Sequence, residues 1–279
     1  MDHPDRPTGI GEPDIGVVGE PDIGFAGESS VGFAGLAGVY AKHRPAYPRE
    51  AVIRLAEDAG LEPGGGGLTV DVGTGTGIFA RCLTEAGLRV VGIEPDDGMR
   101  AQAEAALTGQ PLFTVKKGTA ESTGLPDGCA DLVTAAQAFH WFEKPAFRTE
   151  CLRILKPDAP VAVVWNRRIP GEALLDETAA LHRQHCPAFE SLDRGVNGSE
   201  AWYPRFFRDG VYAVRRFPNE LYWDEETFVG RACSSSFSLR PEEPGFEAYV
   251  GALRGLFTRH ARDGKVRIAN ETFYCIGRV

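Results

Sequence analysis

A chain of 279 residues, 43% of them hydrophobic and 25% charged, has the balance of a globular protein and is long enough to bury a sizeable core without disulfide or metal staples. With Lys plus Arg at 30 and Asp plus Glu at 39, the formal net charge of −9 argues against a nucleic-acid groove or an anionic membrane surface as partner. No apolar run approaches the ~20 residues of a membrane span, and the N-terminus lacks the basic flank and apolar stretch of a secretory signal.

The six cysteines (82, 129, 151, 186, 233 and 275) show neither a C-x-x-C pair nor zinc-ligand spacing. The expectation is a cytoplasmic chain with reduced thiols and no metal. The first forty residues differ from the rest. GEPDIGVV (11–18), GEPDIGFA (19–26) and GESSVGFA (27–34) form an eight-residue repeat, with GLAGVYAK (35–42) a faded fourth copy. Three copies this rich in glycine are too few to bury a core of their own. Residues 1–39 are expected to be a flexible or loosely docked arm; an ordered arm that pairs two copies into a homodimer is the alternative.

From residue 48 a regular alternation begins. Ala51, Val52, Leu55 and Ala59 give a helical stripe that the run Gly64–Gly67 ends. Leu68–Gly73 reads as a short buried strand. Ile78, Phe79, Cys82, Leu83 and Ala86 mark one face of a helix closed by Gly87. Leu88–Glu94 is a second strand, and the Ala-rich residues 97–107 are helical. Leu112–Lys116, Ala130–Ala135 and Pro160–Asn166 give three further strands, with a helix near 145–155 before the last. Strands alternating with helices predict an α/β fold with a doubly wound parallel sheet, whose ligands sit at the carboxyl ends of the strands. Beyond Arg168 the rhythm loosens: 172–210 reads as helical and irregular, Val211–Phe217 as a strand and 245–261 as a helix. Lys265–Ala269 and Thr272–Arg278 are two closing strands.

The strongest local signal is Val70-Asp71-Val72-Gly73-Thr74-Gly75-Thr76-Gly77, a strand running into a glycine-rich turn and then a helix. A nicotinamide-dinucleotide fingerprint would need glycine at 78, where Ile78 stands, and no lysine supplies a P-loop. A G-x-G-x-G turn preceded by an acid suits a ligand with a cationic end and no phosphate. Glu94 ends the second strand, 17 residues past Gly77, where a carboxylate can accept from both hydroxyls of a ribose. Together these two features point to a nucleoside.

At this point the chain resembles the class I S-adenosylmethionine-dependent methyltransferases, and within them the small-molecule type 11, trans-aconitate methyltransferase-like branch. The resemblance rests on VDVGTGTG (70–77), VVGIEPDDGM (90–99), KGTAESTGLPDG (117–128), DLVTAAQAFHWF (131–142) and RILKPDAPVAVVWN (153–166), in that order. It implies a Rossmann-like doubly wound sheet of seven strands, mostly parallel with an antiparallel last strand. The domain would cover 40–279, with an inserted cap over about 172–245 shaping the acceptor pocket.

Carried over residue by residue, the resemblance implies that Asp71, Gly73, Thr74 and Gly75 line the methionyl end of S-adenosylmethionine, that Glu94 holds the ribose, and that Pro95 and Met99 cover the adenine. Thr119, Ala120 and Glu121 would border the adenine edge, with Thr119 standing where many relatives carry an acid. Gln137, Phe139 and His140 would close the pocket, while Tyr40 and Arg44 approach the cofactor's carboxylate. Met99 and Ala120 have plain core packing as their alternative. Tyr47, Trp141, Trp165 and Arg167 are the candidates for touching the acceptor; for Trp141 and Phe142 the alternative is packing beneath a loop.

Methyl transfer from a sulfonium is an in-line displacement, in which alignment and desolvation do most of the catalysis. Where a base is needed, His140 is the candidate, its alternative being a structural or substrate-orienting role. A carboxylate acceptor needs no base, and then Arg167 and Arg168 become candidates to bind it. The functional expectation is an enzyme that methylates a small molecule at O, C or N, plausibly in secondary metabolism, releasing S-adenosylhomocysteine. A cofactor-binding cyclase or rearrangement enzyme that transfers no methyl is the competing class.

Overall fold

The computed structural model describes residues 45–189, 199–235 and 237–279; the octad arm lies outside the described residues. α1 (Arg49–Asp58) turns Ala51, Val52, Leu55 and Ala56 inward; the first three belong to the stripe expected from the sequence, whereas Ala59 lies at the helix's C-terminal cap and is half-buried. β1 (Leu68–Val72), α2 (Ile78–Glu85), β2 (Arg89–Ile93), α3 (Asp97–Ala106) and β3 (Phe113–Lys116) then alternate, followed by β4 (Leu132–Ala136), α4 (Lys144–Ile154) and β5 (Val161–Arg168).

The seven-stranded sheet has the order β3-β2-β1-β4-β5-β9-β6, where β6 is Ala213–Pro218 and β9 is Asn270–Gly277. The strands from β1 to β5 pair in parallel, and β9 runs antiparallel to both β5 and β6. The expected Rossmann-like sheet with an antiparallel last strand is therefore present. The last strand in the chain is inserted between β5 and the edge strand β6. Strand order reverses between β1 and β4, so their carboxyl ends form the crevice where such sheets take ligands.

Alternation along β5 feeds two cores. Val161, Val163 and Trp165 join Phe139, Phe147, Tyr203, Phe206 and Phe273 on one face. Ala162 and Val164 join Val52, Leu55, Phe79, Leu83 and Tyr274 on the other. A third apolar cluster stands apart from these. It is built from α5 (Ala173–His185), α7 (Glu225–Cys233), α8 (Phe246–His260) and β8 (Val266–Ile268), with Leu174, Leu175, Phe228, Tyr249, Leu253 and Val266 buried in it. Between α5 and α7 the chain makes α6 (Tyr203–Phe206), returns to the main sheet as β6 and forms β7 (Leu221–Trp223), which pairs with β8.

β7 and α7 correspond to no expected element. β7 is three residues long, too short to show a period of two. α7 announces itself through its Asp224 cap, which accepts from the Thr227 N–H at 2.8 Å, and through Glu225 and Glu226 in its first turn. The two closing strands appear as expected but belong to different sheets, β8 to the pair with β7 and β9 to the main sheet. Among the described residues no helix is long and apolar enough to cross a membrane.

Candidate functional site

The site begins where β1 ends. Asp71 is 1% exposed and lies in register with Thr134 of β4. Its two oxygens accept from hydroxyls on either side, Oδ1 from Thr134 Oγ1 at 2.8 Å and Oδ2 from Thr74 Oγ1 at 2.6 Å. Burial pushes the carboxyl up to about 6, against the two hydroxyl hydrogen bonds, with the nearby Glu94 charge adding to the rise. A fully buried carboxylate whose hydrogen-bond partners among the described residues include no cation is poised to receive one.

The turn after β1 is pinned to β2. The Gly73 and Thr74 N–H groups both donate to Ile93 O, at 2.9 and 3.1 Å, and the Gly75 N–H donates to Glu94 Oε2 at 2.9 Å. Thr74 fits because β2 has glycine beside it: a Cβ on Gly92 would stand 2.7 Å from the Thr74 methyl. Gly75 has φ +58, and a Cβ there would meet nothing within 4 Å. The backbone is thus bent into a left-handed turn that leaves open space above itself, the form in which glycine admits a ligand close to the main chain.

Glu94, 7% exposed, couples this turn to the next helix. Its Oε1 accepts from the Asp96 N–H at 3.0 Å, and Asp96 Oδ1 in turn caps α3 by accepting from the Met99 N–H at 2.8 Å. Burial raises the Glu94 carboxyl above the usual carboxylate range, opposed by the Asp96 and Gly75 amides. Each oxygen holds one backbone donor and keeps a lone pair for another. Two buried carboxylates around an open glycine turn fit a ligand with an ammonium at one end and a vicinal diol at the other.

The other expected residues fall into groups. Pro95 is exposed directly after Glu94, while Met99 is buried at the first turn of α3. Thr119 is exposed in a tight turn with Ser122, Ala120 is buried in the core, and Glu121 Oε1 accepts from the Glu143 N–H at 3.0 Å. Gln137 leaves β4 with φ +57, and its Nε2 donates to Asn166 O at 2.9 Å. Phe139 is fully buried, its ring in edge contact with Phe142, Phe147 and Phe206.

His140 lies between two indoles, with ring centroids 4.8 Å from Trp141 and 5.5 Å from Trp165. Trp165 is buried and donates through Nε1 to the Tyr203 hydroxyl at 2.7 Å, whereas Trp141 is 66% exposed. Lys144, absent from the sequence expectations, donates through Nζ to His140 O at 3.2 Å and sits 5.6 Å over the Phe139 ring; burial lowers its ammonium from the usual lysine value. Tyr47 packs edge-on against Phe79 at 4.6 Å. Arg167 pairs with Glu271 at 2.7 Å and Glu200 at 3.3 Å, its guanidinium 4.7 Å over Phe273. Tyr40 and Arg44 lie outside the described residues.

Residues 70–163, from β1 into β5, match the family model for a methyltransferase domain. Over this stretch the chain is similar to a methyltransferase domain. It is 37% identical over 131 residues to an uncharacterized methyltransferase of Mycobacterium tuberculosis, covering 47% of this chain and 50% of that protein. A candidate methyltransferase of Dictyostelium discoideum is 29% identical over 146 residues, 52% of this chain and 51% of that one. The chain thus spans about half the length of the curated relatives it matches. The structure of a candidate type II methyltransferase from Anaeromyxobacter dehalogenans, 25% identical, aligns over 84% of this chain and 97% of that one with a TM-score of 0.61. The match to the methyltransferase domain opens on the strand that carries Asp71 and includes the glycine turn, Glu94 and His140.

Proposed function

We propose that the methyltransferase domain binds S-adenosylmethionine and passes its methyl group to a small-molecule acceptor, leaving S-adenosylhomocysteine. The observation that carries this reading is the open left-handed turn at Gly75, tied by its own N–H to Glu94 and flanked by buried Asp71. When bound, the cofactor supplies an electrophilic methyl group on a sulfonium. Asp71 holds the ammonium of the methionyl end, and Glu94 accepts from the ribose hydroxyls with the lone pairs that Gly75 and Asp96 leave. Pro95 and Met99 cover the adenine, Thr119, Ala120 and Glu121 border its edge, and the carboxylate is assigned on this reading to Tyr40 and Arg44.

The acceptor enters beside Trp141, whose exposed indole lies next to His140. The acidic chain, with its net charge of −9, favours a small molecule over a nucleic acid. A carboxylate acceptor seeking Arg167 has to compete with Glu271 and Glu200 for the guanidinium. A hydroxyl or other protic acceptor is served by His140, its ring set between Trp141 and Trp165, which takes the proton released on transfer.

Calorimetric titration with S-adenosylmethionine and S-adenosylhomocysteine tests the reading. Micromolar binding of both, followed by acceptor screening for the mass of one added methyl, supports it; binding of neither overturns it. Turnover of an acceptor with no S-adenosylhomocysteine formed moves the chain to the cyclase or rearrangement class. Within the methyltransferase reading, His140→Ala is expected to lower turnover about 100-fold while leaving cofactor affinity unchanged. Near-normal turnover of the variant would make His140 a packing residue between the two indoles.

A further inference from the structure

The chain leaves β4 at Gln137, and it does so with φ +57. Among the described residues three other non-glycines have positive φ, and all three are aspartates: Asp158, Asp209 and Asp263. A short aspartate side chain can relieve the left-handed conformation by bonding to its own local backbone. Glutamine lacks that relief, and glycine would make the same turn at no steric cost. The strain at Gln137 therefore points to a task for its side chain. That side chain ties the residue to β5. The Gln137 N–H donates to Val164 O at 2.9 Å, and its Nε2 donates to Asn166 O at 2.9 Å. Between those two carbonyls in the chain stands Trp165, the indole against which His140 lies. Asn166 is itself held, its Oδ1 accepting from the Thr272 hydroxyl of β9 and, at 3.2 Å, from Nδ2 of Asn219, just past β6.

From this anchor the chain crosses the glycine turn. A Cβ on Gly73 would stand 2.6 Å from the Ala138 methyl and 3.2 Å from the Phe142 ring, so both ends of the segment 138–142 pack on the first glycine of that turn. Between them Phe139–Trp141 makes a single 3-10 turn, closed by the Trp141 N–H on Ala138 O at 2.9 Å, with His140 at its middle. The place of His140 is thus set at its start by Gln137 and along its length by Gly73 and Trp165.

We propose that Gln137 is a positioning residue: its amide, bonded to Asn166 O, holds the left-handed exit from β4 that sets His140 against Trp165 and beside the glycine turn. The inference rests on the proposed role of His140 and extends it to a residue whose amide is engaged by β5. A misplacement of reacting groups by about 1 Å can cost about 100-fold in rate, which is the loss that a strained but fixed anchor prevents.

Two variants of the full chain separate the parts of this inference. Gln137→Gly relieves the strain and removes the amide, whereas Gln137→Met keeps the strain and the length and removes only the hydrogen bond. Each is followed by 1H–13C NMR of the histidine rings, with His140→Ala assigning the His140 signal. Between two indoles that signal is displaced by ring currents from its position in an unstructured peptide. Both variants are expected to lose most of the displacement while binding S-adenosylhomocysteine within about twofold of wild type. Gln137→Gly is expected to melt within about 2 °C of wild type, the relieved strain offsetting the lost hydrogen bond. Methyl transfer from S-adenosylmethionine to the acceptor found by mass shift is expected to fall about 100-fold in both. If Gln137→Met does not fold, Gln137→Gly carries the comparison alone. A His140 signal that stays in place overturns the inference. So does an affinity for S-adenosylhomocysteine that falls about tenfold or more, which would make Gln137 a ligand contact. Wild-type protein that binds no S-adenosylhomocysteine overturns the cofactor reading, and the NMR comparison then still decides whether Gln137 places His140.

Discussion

Glu94→Ala is expected to weaken S-adenosylhomocysteine binding by about 3 kcal/mol, roughly 150-fold, because hydrogen bonds to a charged acceptor are each worth about 1.5–3 kcal/mol and the proposed site gives the ribose two. The loss has a second component inside the protein. Glu94 joins the Gly75 and Asp96 amides, and Asp96 caps α3, so truncation leaves two backbone donors without their acceptor. Glu94→Gln is not a mild replacement here. Both oxygens face N–H donors, and an amide has one oxygen, so its NH2 must oppose either Gly75 or Asp96. Glutamine should therefore lose most of what alanine loses, whereas a carboxylate acting only by charge at long range would leave it intermediate. Calorimetry on the two variants decides this, and unchanged affinity in Glu94→Ala would remove the ribose role altogether.

The residues legible from sequence are those whose role is a backbone conformation or a strand end. Gly75 and Glu94 were readable because a glycine-rich turn and an acid at the end of the second strand are local patterns, and the structure joins them through a hydrogen bond 19 positions apart in sequence. Thr134 is a hydroxyl inside the apolar run LVTAA, a signal whose meaning appears only when register sets it opposite Asp71. Gly92 lies inside the motif VVGIEPDDGM (90–99), but its role is explained only by the Thr74 methyl it accommodates.

Asn166, Asn219 and Thr272 are further from reach. They meet only because β9 is inserted between β5 and β6, a pairing that no periodicity announces. The same insertion explains the later half of the chain. Val211–Phe217 was visible as a strand, but its place in the main sheet follows from long-range pairing with β9. Trp165 shows the opposite limit. An aromatic residue near the end of a central strand reads equally well as ligand contact or as core, and its side chain is buried against Tyr203 while His140 lies across its ring.

Asp71→Asn is expected to make the ligand-free protein more stable and the cofactor site far weaker. The wild-type carboxyl stands at about 6 in the folded chain against a reference of 3.8, a rise caused first by burial. A group raised on folding favours the folded state fully below 3.8 and loses that advantage as pH climbs through about 6. At pH 8 the ionised carboxylate consequently costs about 3 kcal/mol relative to the protonated form, at about 1.4 kcal/mol per pKa unit. Asparagine has no charge to bury, and the Thr74 and Thr134 hydroxyls can rotate to meet its amide. Denaturant unfolding should then show the variant about 1–3 kcal/mol more stable at pH 8, with the difference shrinking towards zero near pH 4. Cofactor affinity should fall about 100-fold, since the ammonium loses its charged partner. Wild-type affinity should itself decline as pH drops below about 6, in step with protonation of Asp71. A variant less stable by the same margin at both pH values would mean that the hydroxyl hydrogen bonds outweigh the buried charge. The balance expected instead is that of a ligand site: a carboxylate kept out of water at a cost to the fold, and stabilised when a cation arrives.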